Sequence, residues 1–155
     1  MRETFNGKVL AVDPGTDRSA FIYWDALEKK IITKGILSNY DMLACIESTP
    51  CDCLVIEMVA SYGMPVGKEV FETVFWVGRF YERTNSPALR IYRKDVKMFL
   101  CGSMKAKDGN IRQALIDLVG PQGTKKAPGP TYGVHADEWA ALGVALYFAN
   151  EKEAK

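Results

Sequence analysis

Three acids in this chain stand where an apolar run breaks, and their types and order suggest shared chemistry. Asp13 ends the run Val9-Leu10-Ala11-Val12 and is followed at once by Pro14-Gly15. Glu57 ends a second run of the same form, Cys53-Leu54-Val55-Ile56. Asp137 lies in His135-Ala136-Asp137-Glu138-Trp139, just ahead of an alanine-rich apolar stretch. Each has a plain explanation by itself: an Asp before Pro-Gly forms turns, and acids in the first turn of a helix favour its dipole. Brought together they would be a set of hard oxygen ligands, which select magnesium or manganese over zinc. Carboxylates sharing a low-dielectric cleft repel one another, and a divalent ion is the usual compensation. One or two such ions can activate a water and stabilise the leaving oxygen of a phosphodiester. Asp13, Glu57 and Asp137 are therefore the expected catalytic metal ligands.

The elements needed to gather them can be read from the pattern. A strand over 9–12, apolar on both faces, suits the centre of a sheet covered on both sides, and it leaves Asp13 at its carboxyl end. A polar turn over 16–19 and extended patterns over 20–24 and 31–37 complete an antiparallel meander of three strands. Ser38 or Asn39 caps a helix over 40–48 that stops at Thr49-Pro50. The strand Cys53-Leu-Val-Ile-Glu57 comes next; a right-handed crossover would lay it parallel to the first and bring Glu57 out beside Asp13. A Gly- and Pro-punctuated loop over 58–67 leads to a long helix, Lys68 to Arg83. Its apolar positions spread wider than one stripe, so it is either fully buried or shared with a second copy of the chain. A fifth strand over 88–92, helices over 93–101 and from Gly109 or Asn110 to Val119, a loop over 120–133 rich in Gly, Pro and Lys and read as mobile, and a last helix opening at His135 complete the chain.

Composition sets the bounds. The 155 residues, 48% hydrophobic and 25% charged, suit one α/β domain spanning 1–155. The N-terminal residues lack a secretion signal, and the longest apolar stretch, 139–149, is well short of the roughly 20 residues of a membrane span. A cytoplasmic protein with no membrane association is expected. Cys45, Cys51, Cys53 and Cys101 lack the paired C-x-x-C spacing of a zinc site and read as reduced. The net charge of +1 conceals an asymmetry: residues 90–126 hold nine bases against three acids, a local +6. Lys and Arg beside a metal centre make sense if they hold phosphates that the metals cut.

In the order Val12-Asp13-Pro-Gly-Thr16, Val55-Ile-Glu57, Tyr62-Gly-Met-Pro-Val-Gly-Lys-Glu-Val-Phe-Glu-Thr-Val-Phe75 and His135-Ala-Asp-Glu-Trp-Ala-Ala-Leu142, the chain resembles the RuvC family of Holliday junction resolvases, phage or bacterial in type, within the RNase H-like superfamily. The resemblance covers nearly the whole chain. It implies an RNase H-like fold, a five-stranded mixed sheet of three antiparallel strands plus parallel ones, flanked by helices. It also implies a homodimer built on the long helix Lys68 to Arg83 and magnesium-dependent nicking of opposed strands at a four-way DNA junction, leaving 5′-phosphate and 3′-hydroxyl ends; manganese can substitute. The setting would be a bacterial cell or a phage-infected host.

Family members commonly carry two ligands one helical turn apart at the C-terminal motif. Here His135 and Glu138 have that spacing, while Asp137 matches a variant in which Asp precedes Trp-Ala-Ala-Leu. Asp137 is the favoured ligand, with Glu138, also a catalytic candidate, and His135 competing for the second place. The family's loop aromatic corresponds to Tyr62, which either stacks in the opened junction or packs on its own helix. Lys105 and Lys107 are the choice for phosphates near the scissile bond, and Arg93, Lys97, Arg112, Lys125 and Lys126 complete the expected DNA-binding set, with a merely solvated basic face as the alternative. Rival readings are another RNase H-like nuclease acting on RNA/DNA hybrids or flapped DNA as a monomer, an actin-like ATPase sharing the Asp13-Pro-Gly-Thr16 turn, and an inactive DNA-binding module.

Overall fold

The computed structural model of the chain describes residues 5–151. Its elements are β1 (Lys8–Asp13), β2 (Arg18–Asp25), β3 (Lys30–Ser38), α1 (Asn39–Ser48), β4 (Cys53–Met58), α2 (Lys68–Arg83), β5 (Ala88–Tyr92), α3 (Arg93–Cys101), α4 (Asp108–Val119) and α5 (Glu138–Glu151). The sheet runs in the order β3-β2-β1-β4-β5. β1, β2 and β3 form the antiparallel meander, and β4 and β5 are parallel to β1. This is the five-stranded mixed sheet the sequence predicts.

Two apolar layers sandwich the sheet because β1 and β4 alternate between them. Val9, Ala11, Cys53 and Val55 face α3, α4 and α5, whereas Leu10, Val12, Leu54 and Ile56 face α1 and α2. Each fully buried Val, Leu or Ile is worth about 1.5–3 kcal/mol relative to exposure, so these two strands anchor both layers. A one-residue slip in either would exchange the layers, and the register is correspondingly firm: Val9 pairs with Cys53 and Val12 with Ile56. The helix α5 lies close because its packing residues are small. A Cβ added to Gly143 would stand 3.1 Å from the Val96 side chain of α3.

Two expectations are corrected. The last helix opens at Glu138 rather than His135, so His135, Ala136 and Asp137 belong to the turn before it. The loop over 120–133, read as mobile, is internally bonded: Gly123 and Pro128 form a β-bridge, Gly129 N–H donates to the Gln122 carbonyl at 2.9 Å, and the buried Thr131 hydroxyl donates to the Gly120 carbonyl at 2.8 Å. Its Gly and Pro content marks a non-helical path, and backbone hydrogen bonding, which composition does not encode, holds that path. The choice of cap before α1 falls on Ser38, whose hydroxyl accepts from Asp41 N–H at 3.1 Å. Cys45, Cys51, Cys53 and Cys101 form no disulfide among the described residues. No helix among the described residues is long and apolar enough to cross a membrane.

Candidate active site

Because β1 and β4 are parallel neighbours in register, the residues after Val12 and Ile56 emerge side by side, and these are Asp13 and Glu57. The chain must then turn away to leave the carboxylate of Asp13 uncovered. Gly15 permits this, since a Cβ there would run into the Arg18 carbonyl oxygen. The turn is held from below by buried polar side chains. Gly15 N–H donates to Ser19 Oγ at 3.1 Å, Ser19 Oγ donates to Asn39 Oδ1 at 2.6 Å, and Asn39 Nδ2 donates to the Gly15 carbonyl at 2.9 Å. Asn39, weighed in the sequence as a helix cap, is buried and serves this turn instead.

Asp137 arrives from the opposite direction, on the turn before α5. Ala136, just before it, has φ +50°, a left-handed conformation that costs a residue with a Cβ about 1–2 kcal/mol. Asp13, Glu57 and Asp137 line one cleft of about 430 Å3, together with Arg93, Asp108, Ile111, Arg112, Ala136, Trp139 and Ala140. The first residues of α3, Arg93, and of α4, Asp108, thus meet the acids at the carboxyl edge of the sheet. Arg93 joins them: its Nη2 donates to Asp108 Oδ1 at 2.7 Å, and its Nη1 lies 3.7 Å from Glu57 Oε1.

The electrostatics reflect this crowding. Burial raises the Asp13 carboxyl to about 8, helped by the negative charges of Glu57 and Asp137. Burial also raises Glu57, against which the Arg93 charge and hydrogen bond pull it down, with Asp137 pushing it up again and Lys97 lowering it. One guanidinium therefore compensates only part of the negative charge.

That incomplete compensation is the test of whether a divalent cation fits. The donors are carboxylate oxygens, the class that magnesium and manganese prefer, and they share one open cleft. Among the described residues no three acidic, histidine or cysteine side chains are already gathered as a metal cage. Asp13, Glu57 and Asp137 line the cleft without closing into such a cage, and Arg93 is engaged between Glu57 and Asp108. The donor chemistry fits the ion.

Not every expected residue comes to the cleft. Glu138 is not among the residues that line it: buried, it pairs with Lys34 of β3 at 2.9 Å. His135 is exposed, with Nδ1 3.1 Å from the Gly133 carbonyl and 3.3 Å from Glu138 Oε1. Of the bases, Arg93 and Arg112 line the cleft, and Arg112 also lies over the Trp139 ring at 5.7 Å. Lys97 is close enough to act on Glu57. Lys105 and Lys107 are exposed between α3 and α4, where Lys107 N–H donates to Asn110 Oδ1 at 3.0 Å. Lys125 and Lys126 are exposed at the tip of the bonded loop. Tyr62 has φ +49° and is 58% exposed, and Lys94 Nζ lies 5.4 Å from its ring centroid. Asp108 and Trp139 also line the cleft, and sequence reasoning misses both as site residues. Asp108 carries a signal, an acid at a helix start like Asp137, but in the sequence it stands out only as an offset to neighbouring lysines.

No family model matches this sequence. No curated protein matches it by sequence either. Solved structures do match by fold. One is the Thermus thermophilus RuvC structure, with a TM-score of 0.63 and 14% identity, covering 94% of this chain and 97% of that one. Another is T. thermophilus RuvC in complex with Holliday junction substrate, with a TM-score of 0.66 and 15% identity, covering 96% of each chain. The fold is thus RuvC-like, an RNase H-like α/β arrangement, as the sequence predicts.

Proposed function

We propose that this protein is a structure-selective endodeoxyribonuclease that resolves four-way or branched DNA junctions by metal-dependent phosphodiester hydrolysis, leaving 5′-phosphate and 3′-hydroxyl ends. The observation that carries this reading is the convergence of Asp13, Glu57 and Asp137, from two parallel strand ends and the turn before α5, in one cleft edged by Arg93 and Arg112. The RuvC-like fold supports it, and the Thermus protein of that fold is described in complex with Holliday junction substrate.

Asp13, Glu57 and Asp137 would hold magnesium, or manganese in its place. When bound, such an ion supplies a more acidic water and charge stabilisation for the leaving oxygen. The chain's own groups do the rest. Arg93 and Arg112 present guanidinium groups at the cleft, suited to bidentate contact with phosphate oxygens. Lys97, Lys105, Lys107, Lys125 and Lys126 supply sequence-independent attraction to the backbone, which makes binding fall steeply with salt. The exposed Tyr62 ring offers a stacking surface to a base unpaired at the junction centre. Two copies joined along α2 would present two such clefts to opposed strands. The protein would work in the cytoplasm of a bacterial or phage-infected cell.

The test is cleavage of a synthetic four-way junction in magnesium beside a linear duplex, a flap and an RNA/DNA hybrid. Symmetric nicks in opposed strands of the junction, with little cutting of the others, is the expected result. Equal cleavage of all branched and linear DNA, or preference for the hybrid, would replace the resolvase by a broader nuclease of the same fold.

A further inference from the structure

Lys34 and Glu138 lie 104 positions apart and close on each other across the edge of the sheet. Glu138 is among the most deeply buried side chains in the molecule. A buried ion pair is by itself a weak source of stability, because desolvation offsets most of the attraction. What distinguishes this one is where its other hydrogen bonds go. Lys34 Nζ donates to the Gly133 carbonyl at 2.8 Å, and Glu138 Oε1 accepts from His135 N–H at 3.2 Å. Both bonds fasten the turn of residues 133–138, which contains the left-handed Ala136 and carries Asp137 into the acidic cleft.

We propose that Lys34 and Glu138 are positioning residues that clamp this turn, holding the unfavourable backbone at Ala136 so that Asp137 stays at the cleft beside Asp13 and Glu57. The inference rests on reading Asp137 as a metal ligand. A left-handed alanine relaxes unless its surroundings over-determine it, and the clamp grips the backbone on its N-terminal side, at Gly133 and His135, while Glu138 itself begins α5 on the other. Glu138 Oε1 is engaged by an ammonium group and an amide, and Glu138 is absent from the residues that line the cleft.

The experiment uses the full chain with both partners replaced by apolar residues of similar size, Lys34→Met together with Glu138→Leu, since removing Lys34 alone would leave a buried charge. Three quantities are measured: the melting temperature, the exchange rate of the His135 amide in metal-free protein, and the affinity for manganese alone. With the melting temperature near that of the wild type, the His135 amide is expected to exchange at least about tenfold faster and manganese to bind about 10–100-fold more weakly, the usual cost of losing an outer support of a metal ligand. A folded double variant with unchanged exchange and unchanged affinity would overturn the proposal and leave the pair purely structural. If the double variant does not fold, Glu138→Leu alone is read in the same way, because the partly exposed Lys34 can turn its ammonium group to water and leaves no buried charge. A wild type that binds no manganese would instead sink the reading of Asp137 as a ligand, and the exchange rate alone would then decide whether the turn is clamped.

Discussion

Replacing Asp13 by Asn is expected to lower junction cleavage by at least about 1000-fold, since several kcal/mol of charge stabilisation are lost at about 1.4 kcal/mol per factor of ten. Junction binding should survive. The Asp13 carboxyl is raised to about 8 by burial and by the neighbouring Glu57 and Asp137 charges, so in metal-free protein near neutral pH it is mostly protonated. Asn is close in shape and charge to that protonated acid. The fold loses little, and DNA, held by bases elsewhere, meets no new repulsion. Glu57→Gln should behave alike in cleavage, with one difference. Gln carries no charge to set against Arg93, so the guanidinium 3.7 Å away keeps at most a neutral acceptor there. Gel-shift and cleavage assays on one four-way junction check both variants. Cleavage within tenfold of wild type in Asp13→Asn would return that residue to the role of a turn former.

The second large effect concerns α2. Its buried side, Thr73, Trp76, Val77 and Phe80, faces the sheet and α1. The other side is also apolar: Phe71 is 65% and Phe75 59% exposed, four residues apart on one face, and a Cβ at Gly78 one turn on would meet nothing within 4 Å. The Arg79 guanidinium lies 4.5 Å from the Trp76 ring centroid and 5.8 Å from that of Phe75, extending the surface with a flat cation. Large exposed aromatics of this kind suit an interaction site, and under the proposed paired incision a second α2 would be its partner. The wild type is expected to have a solution mass of twice 17.3 kDa. Phe71→Glu with Phe75→Glu would set four carboxylates against one another across the interface and halve that mass, while the fold stands, because neither ring belongs to the core. Nicks in the two junction strands should then become uncorrelated. Light scattering gives the first answer; a wild type that is monomeric at micromolar concentration would remove α2 as the dimer interface.

How much of this the sequence carried depends on the kind of constraint. Asp13 and Glu57 were legible because strands buried on both faces read as unbroken apolar runs, and a parallel pair must expose the residues at their carboxyl ends along a single edge. Asp137 was favoured over Glu138 only through the resemblance, by its place before Trp-Ala-Ala-Leu, since both read as acids at a helix start. The residue that separates them is Lys34, which reaches Glu138 from β3 across 104 positions of sequence. Arg93 was expected only as a DNA contact and Asp108 was visible only as a charge; their pairing needs the starts of α3 and α4 to meet, a matter of packing between elements. Asn39 looked like a cap and became the support of the Gly15 turn for the same reason. Local pattern thus fixes which elements form, and their ends to within a few residues, while partners far apart in sequence decide which end residues reach the cleft.

The central claim is that Asp13, Glu57 and Asp137 together hold a divalent ion, and calorimetric titration of manganese into metal-free protein tests it most directly. Because the folded-state carboxyl of Asp13 sits near 8, above its usual value, it carries a proton at pH 7 that the ion must displace. Titration in buffers of different ionisation enthalpy should show binding to the wild type at pH 7 with release of at least about one proton, a release that shrinks as pH rises through the Asp13 value. Asp13→Asn should bind more weakly, with that proton missing. Equal affinity and equal proton release in the two proteins would contradict the claim.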